Sequence, residues 1–180
     1  LAHPETRGRP PRVFVSGSGM PKSDSKALPR HVAVIMDGNG RWAKRRAMNR
    51  VRGHEEGSES ARVIVRAARE IGIEYLTLYA LSEENWRRPK TEVQALMKLL
   101  KRYLKSELKE MLETGIRLQT IGRTHRLPDD VRSTLLEAID KTAHNRDMVL
   151  TLALSYGGRQ ELVDGVKKLA ERIQAGELSP

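Results

Sequence analysis

Apolar stretches alternate with longer amphipathic stretches along most of the chain. The first apolar stretch, Val32 to Met36, is continuous, which is typical of a fully buried strand. The amphipathic stretches carry apolar residues at the spacing of one helix face. The pattern predicts strands over 32–36, 75–81, 116–121 and 148–154, and helices over 55–71, 91–114, about 127–143 and 159–175.

Four strands that alternate with helices predict an α/β fold, with a mainly parallel sheet and helices on both faces. Thr91 is the predicted cap of the long helix, and Gly115 is its predicted stop. Ligands of such sheets bind at the carboxyl ends of the strands, so the segments after the strands are expected to meet there. These segments are DGNGRW, SEENWRRP, IGRTHR and SYGGR.

Residues 1–29 differ from the rest of the chain. They are rich in Pro, Gly and Ser and carry almost no periodic apolar signal, which indicates a flexible leader. Met20 is a candidate for the natural start of the protein. A single catalytic domain is therefore expected over 30–180.

The composition is that of an ordinary globular domain, with 180 residues, 38% apolar and 31% charged. No apolar run approaches the ~20 residues that cross a bilayer, and the sequence shows no secretory signal. The absence of cysteine excludes disulfides and thiolate metal sites and favours the cytosol. A net charge of +10 fits nucleic acid, an anionic membrane surface, a phosphorylated substrate or simply an arginine-rich proteome. One Phe and two Trp supply few groups for stacking on bases.

The segment Asp37-Gly38-Asn39-Gly40-Arg41 follows the first strand and contains residues suited to phosphate. Glycines allow a tight turn and let backbone amides approach an anion, and arginine binds phosphate oxygens through paired N–H groups. A carboxylate repels phosphate unless a divalent cation lies between them, so Asp37 indicates Mg²⁺. The alternative is a simple Asx turn that ends the strand.

Two further segments supply groups for binding anions. Arg50 and His54 lie four residues apart, and a helix that begins near Glu55 would direct its amide end to the same edge of the sheet. Residues 82–89 offer two Arg, a Ser and an Asn for a second anion. Taken alone, His54 also fits a surface histidine, and 82–89 fits a polar loop. Two anion sites beside one acid that could bind a metal ion favour a reaction between two phosphorylated molecules. One side of the predicted helix 91–114 could line an apolar cavity for a ligand.

Four motifs, which occur in family order over residues 31–180, resemble the cis-prenyltransferase family and in particular its bacterial undecaprenyl diphosphate synthases. The motifs are HVAVIMDGNGRWA, GHEEG preceded by Arg50, LTLYALSEENWRRP followed by EVQALM, and SYGGRQELVDGV. The resemblance implies a Mg²⁺-dependent enzyme that joins isopentenyl diphosphate units to farnesyl diphosphate with cis double bonds. The implied product is undecaprenyl diphosphate, the lipid carrier for peptidoglycan and cell-wall synthesis.

The resemblance also implies partners and a location. It implies a homodimer with no nucleic-acid partner, and a hydrophobic product that passes to the membrane. The expected location is cytoplasmic, with a peripheral position at the inner face of the membrane.

Residue roles follow from the same resemblance. Asp37 would bind Mg²⁺ and assist departure of the allylic diphosphate, and Asn85 would be the second catalytic residue, acting with Ser82 near the isopentenyl unit and its lost proton. Arg88 would contact a diphosphate, and Trp86 would shape the substrate pocket. The other residues expected to bind substrate are Gly38, Asn39, Gly40, Arg41, Trp42, Arg50 and His54.

The sequence departs from the family pattern at several points. Leu81 stands where the family usually has Phe, Ser155 where Asn is common, and Arg123 where Asp is frequent. The family pattern normally continues past Pro180 through an Arg-x-Ser-Asn segment and a Glu near the metal, which help to bind isopentenyl diphosphate and to build the dimer. The catalytic domain is therefore expected to be truncated at its C-terminus.

The sequence is also compatible with other functions. A non-catalytic partner subunit could keep the same fold without turnover. A phosphohydrolase with an aspartyl nucleophile usually needs a second acid two residues later, where this chain has Asn39. A binder of nucleic acid or of a membrane surface would spread its basic residues over one face. The paired Asp-rich helical motifs of trans-prenyltransferases are missing from the sequence.

Overall fold

The structure, a computed structural model, describes residues 28–179, so most of the expected leader, including Met20, lies outside the described residues. None of the helices in this range is long and apolar enough to cross a bilayer. The strands are β1 (His31–Ile35), β2 (Tyr75–Ser82), β3 (Ile116–Ile121) and β4 (Met148–Tyr156). The helices are α1 (Asn39–Lys44), α2 (Arg50–Glu70), α3 (Lys90–Glu113), α4 (Asp129–Lys141) and α5 (Gly158–Gln174).

The four strands form one parallel sheet in the order β1-β2-β4-β3, which confirms the predicted α/β fold. The register places Val32, Leu76, Leu150 and Leu118 side by side across all four strands. The last three are almost completely buried, and Val32 packs against the same core. This face of the sheet is therefore one wall of the hydrophobic core.

Helices α2, α3 and α4 cover that core face, and α3 packs against both α2 and α4. The opposite face carries Ile35, Tyr79, Ala153 and Ile121 in register, and Ile35 is 75% exposed. No residue of α5 is buried, and its apolar side chains are exposed. Helices were predicted on both faces of the sheet. Within the described residues, they cover one face.

The prediction of β1 as a fully buried strand is wrong. β1 is an edge strand whose residues alternate between exposed and partly buried positions. Its continuous apolar run resembles that of a central strand, but β1 pairs on one side with β2 and shows one face to solvent. Only every second side chain of this run, such as Val32 and Val34, therefore packs against the core.

Several element boundaries also differ from the prediction. The segment interpreted as a glycine turn includes the short helix α1. Gly38, which directly precedes this helix, has a left-handed conformation with φ of +97°. Helix α2 begins at Arg50 and not near Glu55, because the Asn49 side chain accepts a hydrogen bond from the Arg52 N–H at 2.9 Å and caps the helix.

The start of α3 was assigned to the wrong residue, but its stop was predicted correctly. Thr91 does not cap the helix, since α3 already includes Lys90 and its cap position is Pro89. The helix ends at Glu113, and Gly115 follows in the left-handed conformation, with φ of +70°, that glycine tolerates best. The structure therefore confirms Gly115 as the stop.

Candidate active site

A cavity of about 970 Å³, counting the solvent at its open mouth, lies between α2, α3 and the core face of the sheet. Its mouth is at the carboxyl ends of β1 and β2, where a parallel sheet binds ligands. Eight of the predicted site residues line it: Asp37, Gly38, Asn39, Gly40, Arg50, His54, Asn85 and Arg88. The structure thus brings together side chains from three separate segments of the sequence.

The GHEEG motif sets the position of Asn39 at the mouth. A Cβ atom on Gly53 would collide with the Asn39 backbone carbonyl, and one on Gly57 would lie 2.8 Å from Asn39 Cγ. Both glycines lie on α2, one helical turn apart, so they form a flat strip on which the start of α1 rests. Close approach of α1 and α2 therefore requires glycine at these two positions.

Asp37 lies at the solvent side of the mouth, directly after β1. Its side chain is 75% exposed, and its Oδ1 accepts a hydrogen bond from the Gly38 N–H at 2.6 Å. Arg41 donates to Asp37 Oδ2 at 2.8 Å. Asp37 is therefore held in one orientation while its carboxylate stays accessible to a ligand or a cation.

The inner side of the mouth is a compact group of charged side chains around Glu92. Glu92 Oε1 accepts a hydrogen bond from Arg88 Nη1 at 3.0 Å and lies 3.2 Å from His54 Nε2. Arg50 Nη1 lies 3.9 Å from the other carboxylate oxygen. The Glu92 side chain is only 10% exposed, so one buried carboxylate balances two guanidinium groups and an imidazole.

Burial lowers the pKa of His54 from its ordinary value of 6.5. The nearby Arg88 and Arg50 also lower this pKa, and Glu92 opposes the shift through a hydrogen bond and its charge. His54 is therefore predominantly neutral at pH 7 in the free protein. The interpretation of His54 as an ordinary surface histidine does not fit, since its side chain is only 12% exposed.

Glu92 was not identified from the sequence as a site residue. The signal available was its spacing, because Arg88 and Glu92 are four residues apart and thus neighbours on a helical surface. Its contact with His54 bridges 38 positions of sequence and depends on the packing of α2 against α3. Local pattern alone does not reveal a contact of that kind.

Four of the predicted substrate-binding residues do not line the cavity: Arg41, Trp42, Ser82 and Trp86. The Trp42 ring is covered by the Arg46 guanidinium at 4.3 Å, and the Ser82 N–H donates to Asn85 Oδ1 at 3.2 Å. Trp86 Nε1 donates to Ser155 Oγ at 2.8 Å, at the end of β4. The indole N–H of Trp86 is therefore directed toward β4.

Behind the charged mouth the cavity is apolar. One face of α3 lines it from Glu92 to Tyr103, with Leu96, Met97, Leu99 and Leu100 between them. Facing them, α2 contributes small side chains, Ser58 and Ala61. The small residues of α2 leave open space between the two helices, so a polar entrance leads into an apolar cavity.

The donor set at the mouth fits one hard divalent cation that also binds a ligand. Asp37 offers an accessible carboxylate, whereas no group of three or more His, Asp or Glu side chains within residues 28–179 could enclose a metal alone. Mg²⁺ commonly binds through one or two carboxylates together with phosphate oxygens of the substrate. The residues present therefore fit a Mg²⁺ ion that is also held by phosphate oxygens of a ligand.

Comparison with known proteins identifies one family. The family model for undecaprenyl diphosphate synthase matches residues 35–179. An isoprenyl transferase from Clostridium perfringens is 48% identical over 152 residues, which cover 84% of this chain and 60% of that protein. The Micrococcus luteus ditrans,polycis-undecaprenyl-diphosphate synthase specific for (2E,6E)-farnesyl diphosphate is 49% identical over 152 residues, 84% of this chain and 61% of that protein.

Solved structures agree with these sequence matches. Lavandulyl diphosphate synthase from Lavandula x intermedia, in complex with dimethylallyl diphosphate, superposes with a TM-score of 0.82 at 36% identity. A probable undecaprenyl diphosphate synthase from Campylobacter jejuni superposes with a TM-score of 0.66 at 32% identity. The matches cover 84% and 82% of this chain and 65% and 64% of those chains. The chain spans about three fifths of the length of the curated relatives it matches.

Proposed function

The chain belongs to the undecaprenyl diphosphate synthase family of prenyltransferases, and from that premise we propose that its domain, residues 30–180, is the catalytic domain of a cis-prenyltransferase. The reaction joins isopentenyl diphosphate to farnesyl diphosphate, and repeated condensation yields undecaprenyl diphosphate for cell-wall synthesis. The similarity to a synthase specific for farnesyl diphosphate supports this starter. The dimethylallyl diphosphate in a similar structure supports the broader class of allylic diphosphates.

One observation carries the proposal: a mouth rich in cations leads directly into an apolar cavity. A diphosphate with a prenyl tail has the same division, with an anionic head and a hydrocarbon chain. Arg50, Arg88 and His54 surround the place where the head would bind, and the tail would follow the apolar face of α3. A site for a small, wholly polar phosphate ester would not need this apolar extension.

The chemistry requires the allylic carbon–oxygen bond to break, which leaves negative charge on the diphosphate. Arg50, Arg88, His54 and the backbone N–H groups of residues 39 and 40 would stabilise that charge, because they already line the cavity in the free protein. Glu92 balances the charges of Arg50 and Arg88 in the free protein, and an incoming diphosphate would take over part of that role. Binding of the anion also favours the protonated form of His54.

Asp37 would hold Mg²⁺ against the leaving diphosphate. When bound, the cation supplies charge stabilisation for the departing oxygen. Arg41 would keep the Asp37 carboxylate aimed at the mouth through the existing ion pair. This arrangement explains why an exposed acid, Asp37, follows β1 and precedes a basic stretch of the sequence.

The second substrate would bind near residues 82–88. Asn85 lines the cavity and would lie beside the isopentenyl unit, where a proton leaves once the new carbon–carbon bond has formed. Ser82 orients Asn85 through its backbone N–H, and its hydroxyl would complete this part of the site. Trp42 and Trp86 would shape the substrate pocket through the neighbouring residues that they contact.

Partners and location form the remaining part of the proposal. We propose a homodimer whose product passes to the membrane, in a cytoplasmic protein that binds the inner face of the membrane peripherally. The stretch 41–52 supports membrane contact, since it contains six basic residues and no acidic residue. In it Lys44, Arg45, Arg46 and Met48 are exposed, and they lie in sequence between Gly40 and Arg50, which line the cavity.

The direct test is incubation of the full chain with farnesyl diphosphate, labelled isopentenyl diphosphate and Mg²⁺, with extraction of labelled polyprenyl products. We expect long products, and a loss of at least about 100-fold in rate for Asp37→Ala. Asp140→Ala, on α4, is the matched control and should retain full rate. Failure of the folded wild-type chain to transfer label would support the non-catalytic partner subunit, and phosphate release from simple monoesters would support a phosphohydrolase.

A further inference from the structure

The connecting turn, a short 3₁₀ helix at Glu83–Arg87, joins β2 to the start of α3. Asn85 lines the cavity from this turn, whereas Glu83 and Trp86 do not belong to the lining that residues 28–179 form. Because a 3₁₀ helix has about three residues per turn, side chains three positions apart lie on the same side. Glu83 and Trp86 therefore share one side of the connecting turn, and Asn85 occupies another.

The Glu83 carboxylate links the connecting turn to the ends of β3 and β4. Its side chain is 16% exposed and forms an ion pair with Arg126, which follows β3. Glu83 Oε1 accepts a hydrogen bond from Ser155 Oγ at 3.1 Å and lies 3.9 Å from Arg123 Nη1. Arg123 is itself held by Asp164 of α5 through hydrogen bonds of 2.8 and 2.6 Å. Glu83 thus attaches the connecting turn to groups that are fixed elsewhere in the fold.

The indole of Trp86 takes part in the same network. Trp86 Nε1 donates to Ser155 Oγ at 2.8 Å, and that hydroxyl in turn donates to Glu83. The Arg126 guanidinium, which pairs with Glu83, also lies 5.2 Å from the centre of the Trp86 ring. Ser155 and Arg126 therefore each contact both side chains on this side of the connecting turn, and a rotation of the turn would break both links.

Ser155 is a fixed anchor for the network. It is 1% exposed and has φ of +50°, a left-handed conformation that few residues other than glycine adopt. The pairing of β2 with β4 is irregular at this level, with register shifts on either side of Leu81. Regular strand pairing therefore constrains the exit of β2 less than elsewhere in the sheet, and the side-chain network supplies that constraint.

We infer that Glu83 is a positioning residue for the second substrate: through Ser155 and Arg126 its carboxylate holds the connecting turn so that Asn85 stays in the cavity. This inference rests on the proposed function, in which Asn85 lies beside the isopentenyl unit. Asn85 Oδ1 accepts a hydrogen bond from the Ser82 N–H at 3.2 Å, so the Asn85 side chain is bound to the backbone at the start of the turn. A displacement of the turn would therefore carry Asn85 with it.

The two substrates should depend on Glu83 to different degrees. Arg88 lies one residue beyond the connecting turn and forms its own ion pair with Glu92 at 3.0 Å. Arg50 and His54, the other basic groups proposed for the allylic diphosphate, belong to α2. Loss of Glu83 should therefore impair the use of isopentenyl diphosphate and leave the KM for farnesyl diphosphate nearly unchanged.

Tryptophan emission tests the attachment of the connecting turn without any substrate. The chain has two tryptophans, so Trp42→Phe makes Trp86 the sole emitter. In that background, Glu83→Ala should shift the emission to longer wavelength, because the indole loses its fixed contacts and becomes more exposed. Glu83→Gln keeps an oxygen that accepts from Ser155 and should restore most of the original emission.

Steady-state kinetics of the full chain with farnesyl diphosphate, isopentenyl diphosphate and Mg²⁺ test the positioning role. We expect Glu83→Ala to lower kcat/KM for isopentenyl diphosphate by about 100-fold, since a displacement of about 1 Å at a reacting group is enough for such a loss. Glu83→Gln should recover most of the activity. If Glu83→Ala does not fold, Ser155→Ala breaks the same link and should change emission and kcat/KM in the same directions.

Glu107→Ala is the matched control, because Glu107 has similar burial and partners outside the cavity lining of the described range. Its side chain is 11% exposed, pairs with Arg62 Nε at 2.7 Å and accepts from Ser106 Oγ at 2.7 Å. This variant should be less stable than wild type, with Trp86 emission and kcat/KM for isopentenyl diphosphate unchanged.

The outcomes separate this inference from the proposed function. Unchanged emission or unchanged kcat/KM in Glu83→Ala, or an equal loss of kcat/KM in Glu107→Ala, would overturn the inference while the reaction stands. An inactive wild-type chain would contradict the proposed reaction, and an emission shift in Glu83→Ala would then still show that Glu83 holds the connecting turn.

Discussion

At the scale of single residues, the charge balance of the mouth depends on Glu92. Its buried carboxylate contacts Arg88 and His54 and lies near Arg50, which lets three basic groups stay close together before a ligand arrives. Removing one partner of a buried ion pair is costly because the other charge remains uncompensated. Glu92 therefore belongs to the site as much as the cations that point into it.

The lowered pKa of His54 predicts a pH-dependent stability. Because the unfolded histidine titrates near 6.5 and the folded one lower, the unfolded state binds more protons between these two values. The titration of His54 therefore leaves the free energy of unfolding at its full value above pH 6.5. The free energy of unfolding decreases as the pH falls from 6.5 toward the pKa of the folded state. Urea unfolding of wild type and His54→Asn at pH values on both sides of about 6.5 measures this difference.

The control for this experiment is His144→Asn, which replaces an exposed histidine outside the cavity. We expect wild type and His144→Asn to lose stability in parallel as the pH falls, with a smaller loss in His54→Asn. Equal slopes in all three proteins would show that burial does not shift the titration of His54.

At the scale of elements, long periodic patterns determined what could be predicted from sequence. Residues 116–121 form β3 as predicted, and Gly115 stops α3, because alternation and a left-handed glycine are local signals. The early start of α2 was missed because its first turn is polar, and only Asn49 marks it. The exposure of one face of β1 could not be predicted, because a continuous apolar run does not distinguish an edge strand from a central strand.

The same division applies to the site. The mouth residues after β1 and β2 were predicted because parallel strands bring their carboxyl ends to one edge. Glu92 was not, because its role depends on how α2 and α3 face each other across the cavity. Trp86 was placed with the substrate, although its indole donates to Ser155 on β4.

The close packing of α1 on α2 predicts a strong effect of one added methyl group. Gly57→Ala would put its Cβ 2.8 Å from Asn39 Cγ and 2.9 Å from Asn39 Oδ1, so the Asn39 side chain must move from its place at the cavity mouth or the start of α1 must shift. We expect a loss of about 1–3 kcal/mol in the free energy of unfolding and a lower rate of prenyl transfer. Denaturant unfolding and the product assay measure the two effects.

Gly165→Ala provides the matched control for Gly57→Ala. Gly165 also lies within a helix, α5, but a Cβ there has nothing within 4 Å. We expect this substitution to stabilise the protein by about 0.5–1 kcal/mol, since alanine favours the helix. A Gly57→Ala protein as stable and active as Gly165→Ala would contradict the close approach of α1 to α2.

At the scale of the whole molecule, charge and cavity have a common orientation. The chain carries a net charge of +10, and the acid-free stretch 41–52 directly follows Gly40 and includes Arg50, two residues that line the cavity. An anionic bilayer would attract this end of the protein, so a hydrocarbon product could leave toward lipid. The exposed Met48 adds an apolar contact next to the basic side chains.

This orientation predicts selective binding to anionic vesicles. Lys44→Gln/Arg45→Gln should weaken binding to vesicles that contain phosphatidylglycerol by about 2 kcal/mol, given about 1 kcal/mol for each basic residue near such a surface. Co-sedimentation measures the change, and vesicles of phosphatidylcholine alone should bind both proteins weakly. Lys98→Gln/Lys105→Gln, which removes two exposed lysines of α3, is the matched control and should bind like wild type. Equal losses in both double variants would point to net charge and not to the cavity entrance.

The position of β1 at the border of the sheet has a consequence for handling the protein. Within the described residues, one side of this strand is hydrogen-bonded to β2, while the other leaves backbone N–H and C=O groups that could accept a strand from another molecule. Its sequence, HVAVI, is rich in β-branched residues, as in segments that form fibrils. Electrostatic repulsion between highly basic molecules opposes such stacking, and concentrated salt reduces the reach of that repulsion to about 3 Å at 1 M. Dilute buffers should therefore keep the protein dispersed, and precipitation with salt carries a risk of aggregation through β1.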